Sequence, residues 1–204
     1  MKNKYTVNWH ELKDYEILYI EDKTIKNLIN QGTKKASSLS KLGIKLNSMQ
    51  VYNILKKNEG LSVKILKRLL DYLESDYNII NDKILEVRKG FKTSIKNPKF
   101  PINLSDSKIG YLLGHLVSDG CLYYDKSRRN LIRTKYCSDD WEGIKLFTEA
   151  LNEVFGEVHF NQETIRNCIQ IRIGTGVVGE TLRKAGVPVG KKYKLNEGLP
   201  WIVK

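Results

Sequence analysis

Residues 105–120 read SDSKIGYLLGHLVSDG, and this stretch decides the fold of the C-terminal half. Ser105 or Asp106 can cap a helix there, because a short oxygen-bearing side chain accepts from an otherwise unpaired N–H of the first turn. The helix interior, Ile109–Val117, is almost entirely apolar, and Asp119–Gly120 ends it. Gly110, Gly114 and Ser118 recur every fourth residue and so share one side of the helix. A stripe of such small residues lets two helix backbones approach closely. Asp119 falls at the C-terminal end, where the helix dipole disfavours an anion by a few tenths to about 1 kcal/mol. A carboxylate in that place suggests a compensating cation. An isolated Asp-Gly pair is also an ordinary helix stop, since both residues favour turns.

Downstream, the pattern alternates. Cys121–Tyr124 and Leu131–Cys137 read as two strands joined by the basic turn Asp125–Asn130. Asp139 or Asp140 then caps an amphipathic helix with Ile144, Phe147, Leu151, Val154 and Phe155 at helical spacing, stopped by Gly156. A second hairpin (Glu157–Asn161 and Cys168–Ile173) and a third helix (Gly176–Ala185) complete an α-β-β-α-β-β-α order, an α+β unit over residues 105–204.

With its context, the opening stretch resembles the LAGLIDADG homing endonucleases. Leu112-Leu113-Gly114-His115-Leu116-Val117-Ser118-Asp119-Gly120 matches the family's motif in its LLGxLxxDG form, preceded by Ile109-Gly110-Tyr111. Gly186-Val187-Pro188-Val189-Gly190-Lys191-Lys192, then Leu199-Pro200-Trp201-Ile202, is similar to the family's connector. The resemblance implies site-specific cleavage of double-stranded DNA by metal-dependent phosphodiester hydrolysis. Asp119 would be the catalytic ligand of Mg²⁺, with Gly120 beside it, once two motif helices pair along Gly110, Gly114 and Ser118. His115 occupies an apolar motif position and reads as a core or interface histidine.

Charge agrees with a polyanionic partner. Lys and Arg outnumber Asp and Glu 35 to 23, for a net charge of +12 and a pI near 9.5, and neutralising phosphates releases condensed counterions. The excess is uneven, 20 against 11 in residues 1–100 and 15 against 12 in residues 101–204. Nothing resembles a signal peptide, and no apolar run approaches the roughly 20 residues that span a bilayer. Cys121, Cys137 and Cys168 are odd in number and widely spaced. They read as small residues on strands in a reducing compartment, without a disulfide framework or zinc site. A cytoplasmic protein that avoids membranes is expected.

Residues 1–75 read as an all-α, helix-turn-helix-like DNA-binding domain. Thr24–Gln31 is amphipathic, Ala36–Leu42 ends at Gly43, and Ser48 can cap Met49–Lys57. That last helix presents Gln50, Asn53, Lys56 and Lys57 opposite Val51, Ile54 and Leu55, as a helix entering the major groove would. Ser62 caps another helix with Val63, Leu66, Leu69, Leu70 and Leu73 inside. A plain helical packing domain is the alternative. Residues 76–104 read as a basic linker with a possible helix at Asn81–Lys89, extended around Pro98 and Pro101.

Strand alternation selects a DNA-facing set. In Cys168–Ile173 the isoleucines 169, 171 and 173 point inward and Gln170 and Arg172 outward. Arg133 and Lys135 share one face of their strand, and Arg128, Arg129 and Arg166 lie in or near turns. Arginine and glutamine read guanine and adenine edges in the major groove. Two departures from the family stand out. The chain has one motif, so cleavage requires a homodimer or a second motif in a longer chain. Where some active members carry a basic residue after the second strand, this chain has Cys137, leaving Lys135, Lys191 or Lys192 to substitute. A DNA-binding transcription regulator without nuclease activity is therefore the competing reading, and a protein assisting RNA splicing is a third.

Overall fold

Among the described residues, a five-stranded, a four-stranded and a two-stranded antiparallel sheet and six α-helices share one hydrophobic core. The computed structural model describes residues 5–36, 46–88, 94–128 and 131–190. The chain opens with strand β1 (Thr6–Val7), a 3-10 turn at Trp9–Glu11 and strand β2 (Ile17–Ile20). Helix α1 (Asp22–Ala36), helix α2 (Ser48–Lys57), strand β3 (Leu61–Ser62) and helix α3 (Val63–Tyr72) follow. After a 3-10 stretch at Tyr77–Lys83 come strands β4 (Ile84–Arg88), β5 (Ser94–Lys96) and β6 (Ile102–Asn103). Helix α4 (Ser107–Ser118), strand β7 (Gly120–Asp125), strand β8 (Leu131–Ser138) and helix α5 (Trp141–Phe155) continue the chain. Strands β9 (Glu157–Val158), β10 (Phe160–Ile165) and β11 (Cys168–Ile173) and helix α6 (Gly176–Lys184) close it.

The mixed α+β composition agrees with the sequence reading, but the N-terminal part is not all-α. β2 lies in a five-stranded sheet of order β3-β2-β4-β5-β9, and β1 pairs with β6. The helices there have local causes. Ser62 accepts from the Ile65 N–H at 3.3 Å, and α3 buries Val63, Leu66, Leu69 and Leu70 on one side. α2 begins one residue before expectation. Asn47 accepts from the Gln50 N–H at 2.8 Å while the Gln50 side chain accepts from the Asn47 N–H at 2.9 Å, a reciprocal cap. The expected turn at Gly43, and all of Ala36–Leu42 beyond Ala36, lie outside the described residues.

Residues 76–104, expected as an extended linker, instead supply the middle of that sheet. The expected helix Asn81–Lys89 gives way to the 3-10 stretch and β4, which pairs with β2 on one side and β5 on the other. Ile84, Val87 and Ile95 are buried there, and the neighbouring strands satisfy backbone groups that an isolated extended segment would leave to water. β5 pairs in turn with β9, Ile95 opposite Val158. The C-terminal unit thus completes a sheet begun by the N-terminal one.

The expected αββαββα order of the C-terminal unit is present, with β9 as an extra short strand. Its four-stranded sheet runs β10-β11-β8-β7, with α4, α5 and α6 against one face. Asp106 caps α4, accepting from the Lys108 N–H at 2.8 Å. Asp140 caps α5 through the N–H groups of Glu142 and Gly143, at 3.0 and 2.9 Å. Among the described residues, no helix is long and apolar enough to cross a membrane.

Candidate active site and nucleic-acid face

α4 buries Ile109, Leu112, Leu113 and Leu116 completely on one side. Among the described residues its other side is open: a Cβ added at Gly110 or Gly114 would meet nothing within 4 Å. Ser118 and Asp119 are exposed at its end. The Ser118 hydroxyl donates to the His115 carbonyl at 3.2 Å, as does the Asp119 N–H at 3.0 Å. Gly120 has a different job. A Cβ there would lie 2.5 Å from Leu116 Cδ2 and 2.8 Å from the Lys135 carbonyl oxygen, so only glycine lets α4 end directly against β8.

These residues line a cleft of about 460 Å³ on the outer side of α4. Gly110, Gly114 and Gly143 leave room, Tyr111, His115 and Tyr136 form an aromatic wall, and Ser118, Asp119, Ser138 and Asp140 make a polar end. His115 Nδ1 and the Tyr136 hydroxyl share a hydrogen bond of 2.8 Å. Tyr136 stacks on Phe147 with centroids 4.3 Å apart, and Tyr111 meets His115 edge-on at 4.4 Å. Burial pushes the His115 pKa below its ordinary value, with the Asp119 charge opposing it. Burial likewise pushes the Tyr136 hydroxyl up. His115 is therefore a neutral wall residue, as its apolar motif position suggests.

Among the described residues, no three His, Cys, Asp or Glu side chains are grouped to hold a metal ion. One chain offers the Asp119 carboxylate, and the Asp119 carbonyl already accepts from the Cys137 N–H at 3.2 Å. By antiparallel alternation the Gly120 carbonyl then points away from β8. Mg²⁺ binds through one or two carboxylates with waters and phosphate oxygens, and of such donors the end of α4 offers the Asp119 carboxylate.

The sheet face away from the helices gathers the expected cations. Thr134 and Ile132 are buried beneath the helices, while Arg133 and Lys135 lie half-buried on the other face. Arg133 pairs with Asp125 at 2.8 Å, and Arg172 with Glu163 at 2.5 Å. Lys135 makes no ion pair among the described residues and sits opposite Arg172. Arg166 occupies the hairpin turn with a left-handed φ of 56°. Gln170 departs from expectation. It shares the face but is only 1% exposed, because β11 is an inner strand and Cys137 and Glu163 stand directly opposite it on either side. Burial pushes the Cys137 thiol up against the pull of Lys135, so this position supplies no charge.

On α2, Lys56 and Lys57 are exposed as expected. Gln50 is exposed, but its side-chain oxygen serves the helix cap, and Asn53 is half-buried with a buried, unpartnered Oδ1. Tyr52, not singled out from the sequence, is 53% exposed beside Lys56 on that helix. Asp125 and Glu163 also escaped sequence reading; only strand register brings them to the arginines. Arg129, Lys191 and Lys192 lie outside the described residues, as does the side chain of Arg128. The three cysteines are free. No protein-family model matches the chain, and neither does any curated protein.

Proposed function

We propose that this chain is a DNA-binding protein of the LAGLIDADG homing-endonuclease type, which cleaves double-stranded DNA when two motif helices pair along α4. The observation that carries the reading is the open outer side of α4. Among the described residues nothing packs over two interior glycines, and the stripe they form ends at an exposed carboxylate beside a polar cleft. A second α4 laid against that stripe brings two Asp119 carboxylates together. A divalent metal held there would supply an activated water and stabilise the leaving oxygen. The sheet face with Arg133, Lys135 and Arg172 would lie in the major groove, and the basic α2 surface (Tyr52, Lys56, Lys57) would give a second contact.

The test combines mass in solution with Mg²⁺-dependent conversion of supercoiled DNA to linear product. The reading expects a paired species and product that Asp119→Asn abolishes while binding persists. Product formed equally well by Asp119→Asn would overturn it.

One observation favours a second reading, a DNA-binding regulator without nuclease activity. Cys137, neutral under burial, stands where the resemblance calls for a base. That reading expects duplex binding, indifference to Asp119→Asn and no cleavage with any divalent metal.

A further inference from the structure

Two hydrogen bonds and an ion pair run in a chain across the solvent face of the four-stranded sheet, from half-buried Cys137 through buried Gln170 to exposed Arg172. The Cys137 thiol donates to Gln170 Oε1 at 3.8 Å. That contact turns the Gln170 amide so that Nε2 donates to Glu163 Oε1. The same carboxylate oxygen receives Arg172 Nη2 at 2.5 Å. Glu163 stands directly opposite Gln170, and Asn161 opposite Arg172, so Glu163 reaches Arg172 along the diagonal between neighbouring strands.

This arrangement has two physical consequences. Arg172 also faces Lys135 across β8, and like charges directly opposite repel. Glu163 offsets that repulsion. An arginine already held by a carboxylate has lost its side-chain freedom on folding, so it loses less on binding. The Arg133 side chain, also carboxylate-held, is 20% exposed and that of Arg172 46%, so Arg172 is the one whose guanidinium remains reachable. Its ion pair uses Nη2, leaving the rest of the planar fork to meet O6 and N7 of a guanine.

We propose that Glu163, steadied by the buried Gln170, is a positioning residue that makes Arg172 a rigid reader of guanine in duplex DNA. The inference rests on the DNA-binding reading above. Glu163 also sets a negative charge among cations, so it lowers affinity for phosphate in general while sharpening choice between bases.

The experiment selects duplexes from a randomised pool with the wild-type protein, Glu163→Gln and Arg172→Lys. The wild type is expected to enrich guanine at defined positions, and Arg172→Lys to lose that enrichment at one of them, or at a symmetric pair in a paired protein. Glu163→Gln is expected to bind mixed-sequence duplex as well as or better than the wild type. At the position lost in Arg172→Lys, its guanine preference should fall by about tenfold. A role confined to stability would leave base preference among the bound duplexes intact. The proposal is overturned if Glu163→Gln keeps the wild-type preference, or if Arg172→Lys loses none. If the wild type retains no duplex at all, the DNA-binding reading itself is overturned.

Discussion

α4 and α5 lie side by side against the same sheet, yet they treat their outer sides differently. α5 is an ordinary surface helix: Ile144, Phe147, Ala150, Leu151, Val154 and Phe155 are buried. Its outer side carries charge, including the Lys145–Glu149 pair at 3.9 Å. α4 buries one side as completely, but its outer side offers Gly110, Tyr111, Gly114 and Ser118. Glycine inside a helix costs about 1 kcal/mol relative to alanine. Among the described residues, nothing packs against α4 in return at Gly110 or Gly114. The difference teaches that α5 covers its buried side and charges its outer one, whereas α4 places two interior glycines on a side where nothing described packs against them.

The largest test of this contrast is on α5. Phe147 is fully buried and stacked on Tyr136, so Phe147→Ala should cost about 3–5 kcal/mol, read from the denaturant midpoint. An effect under about 1 kcal/mol would break the picture of α5 as core. Next comes Gly120→Ala, whose Cβ would crowd Leu116 and the Lys135 carbonyl. Overpacking of this kind costs about 1–3 kcal/mol, and thermal unfolding of the variant against the wild type checks it.

Gly114 should behave in the opposite way. With open space above it, Gly114→Ala should raise the stability of the unpaired chain by about 0.5–1 kcal/mol. Gly114→Leu should leave the fold intact and remove any paired species from light scattering. A destabilised Gly114→Ala would mean that the outer side of α4 is filled within the chain.

The smallest effect concerns His115. Burial holds its pKa below the ordinary value, Asp119 partly opposing. The unfolded chain therefore takes up this proton first as pH falls below about 6.5. The stability contributed by the neutral imidazole is present above that pH and lost as pH drops through the folded value. His115→Gln should flatten the fall in unfolding midpoint over this window. A fall just as steep in the variant would assign the acid sensitivity to other groups.

The candidate site was largely legible where its signals are local. The helix over Ser107–Ser118, its cap and its small-residue stripe follow from spacing within a few turns, as does the alternation that turns Arg133 and Lys135 away from Thr134. Gln170 shows the limit. Alternation placed it correctly on the outer face, but its burial depends on Cys137 and Glu163, which arrive from two other strands. Asp125 and Glu163 drew no attention for the same reason, since an acidic residue on an exposed strand has no local mark of its partner.

By itself the sequence determined the order of helices and strands in the C-terminal unit, because their periods of 3.6 and 2 are written in neighbouring residues. The hairpin strand expected at Glu157–Asn161 instead runs Phe160–Ile165, because Glu157–Val158 pairs with β5. The sequence also placed the cap at Ser62 and narrowed two others to Ser105 or Asp106 and to Asp139 or Asp140, of which the structure uses Asp106 and Asp140. Tertiary structure alone decided that Ile84–Arg88 and Ser94–Lys96 form strands, since their partners include Ile17–Ile20 and Glu157–Val158, far off in the chain. It likewise decided what the stretch 105–120 exposes. A pattern of apolar residues predicts that a helix is buried, but only the packing shows that Gly110 and Gly114 are on the side left uncovered.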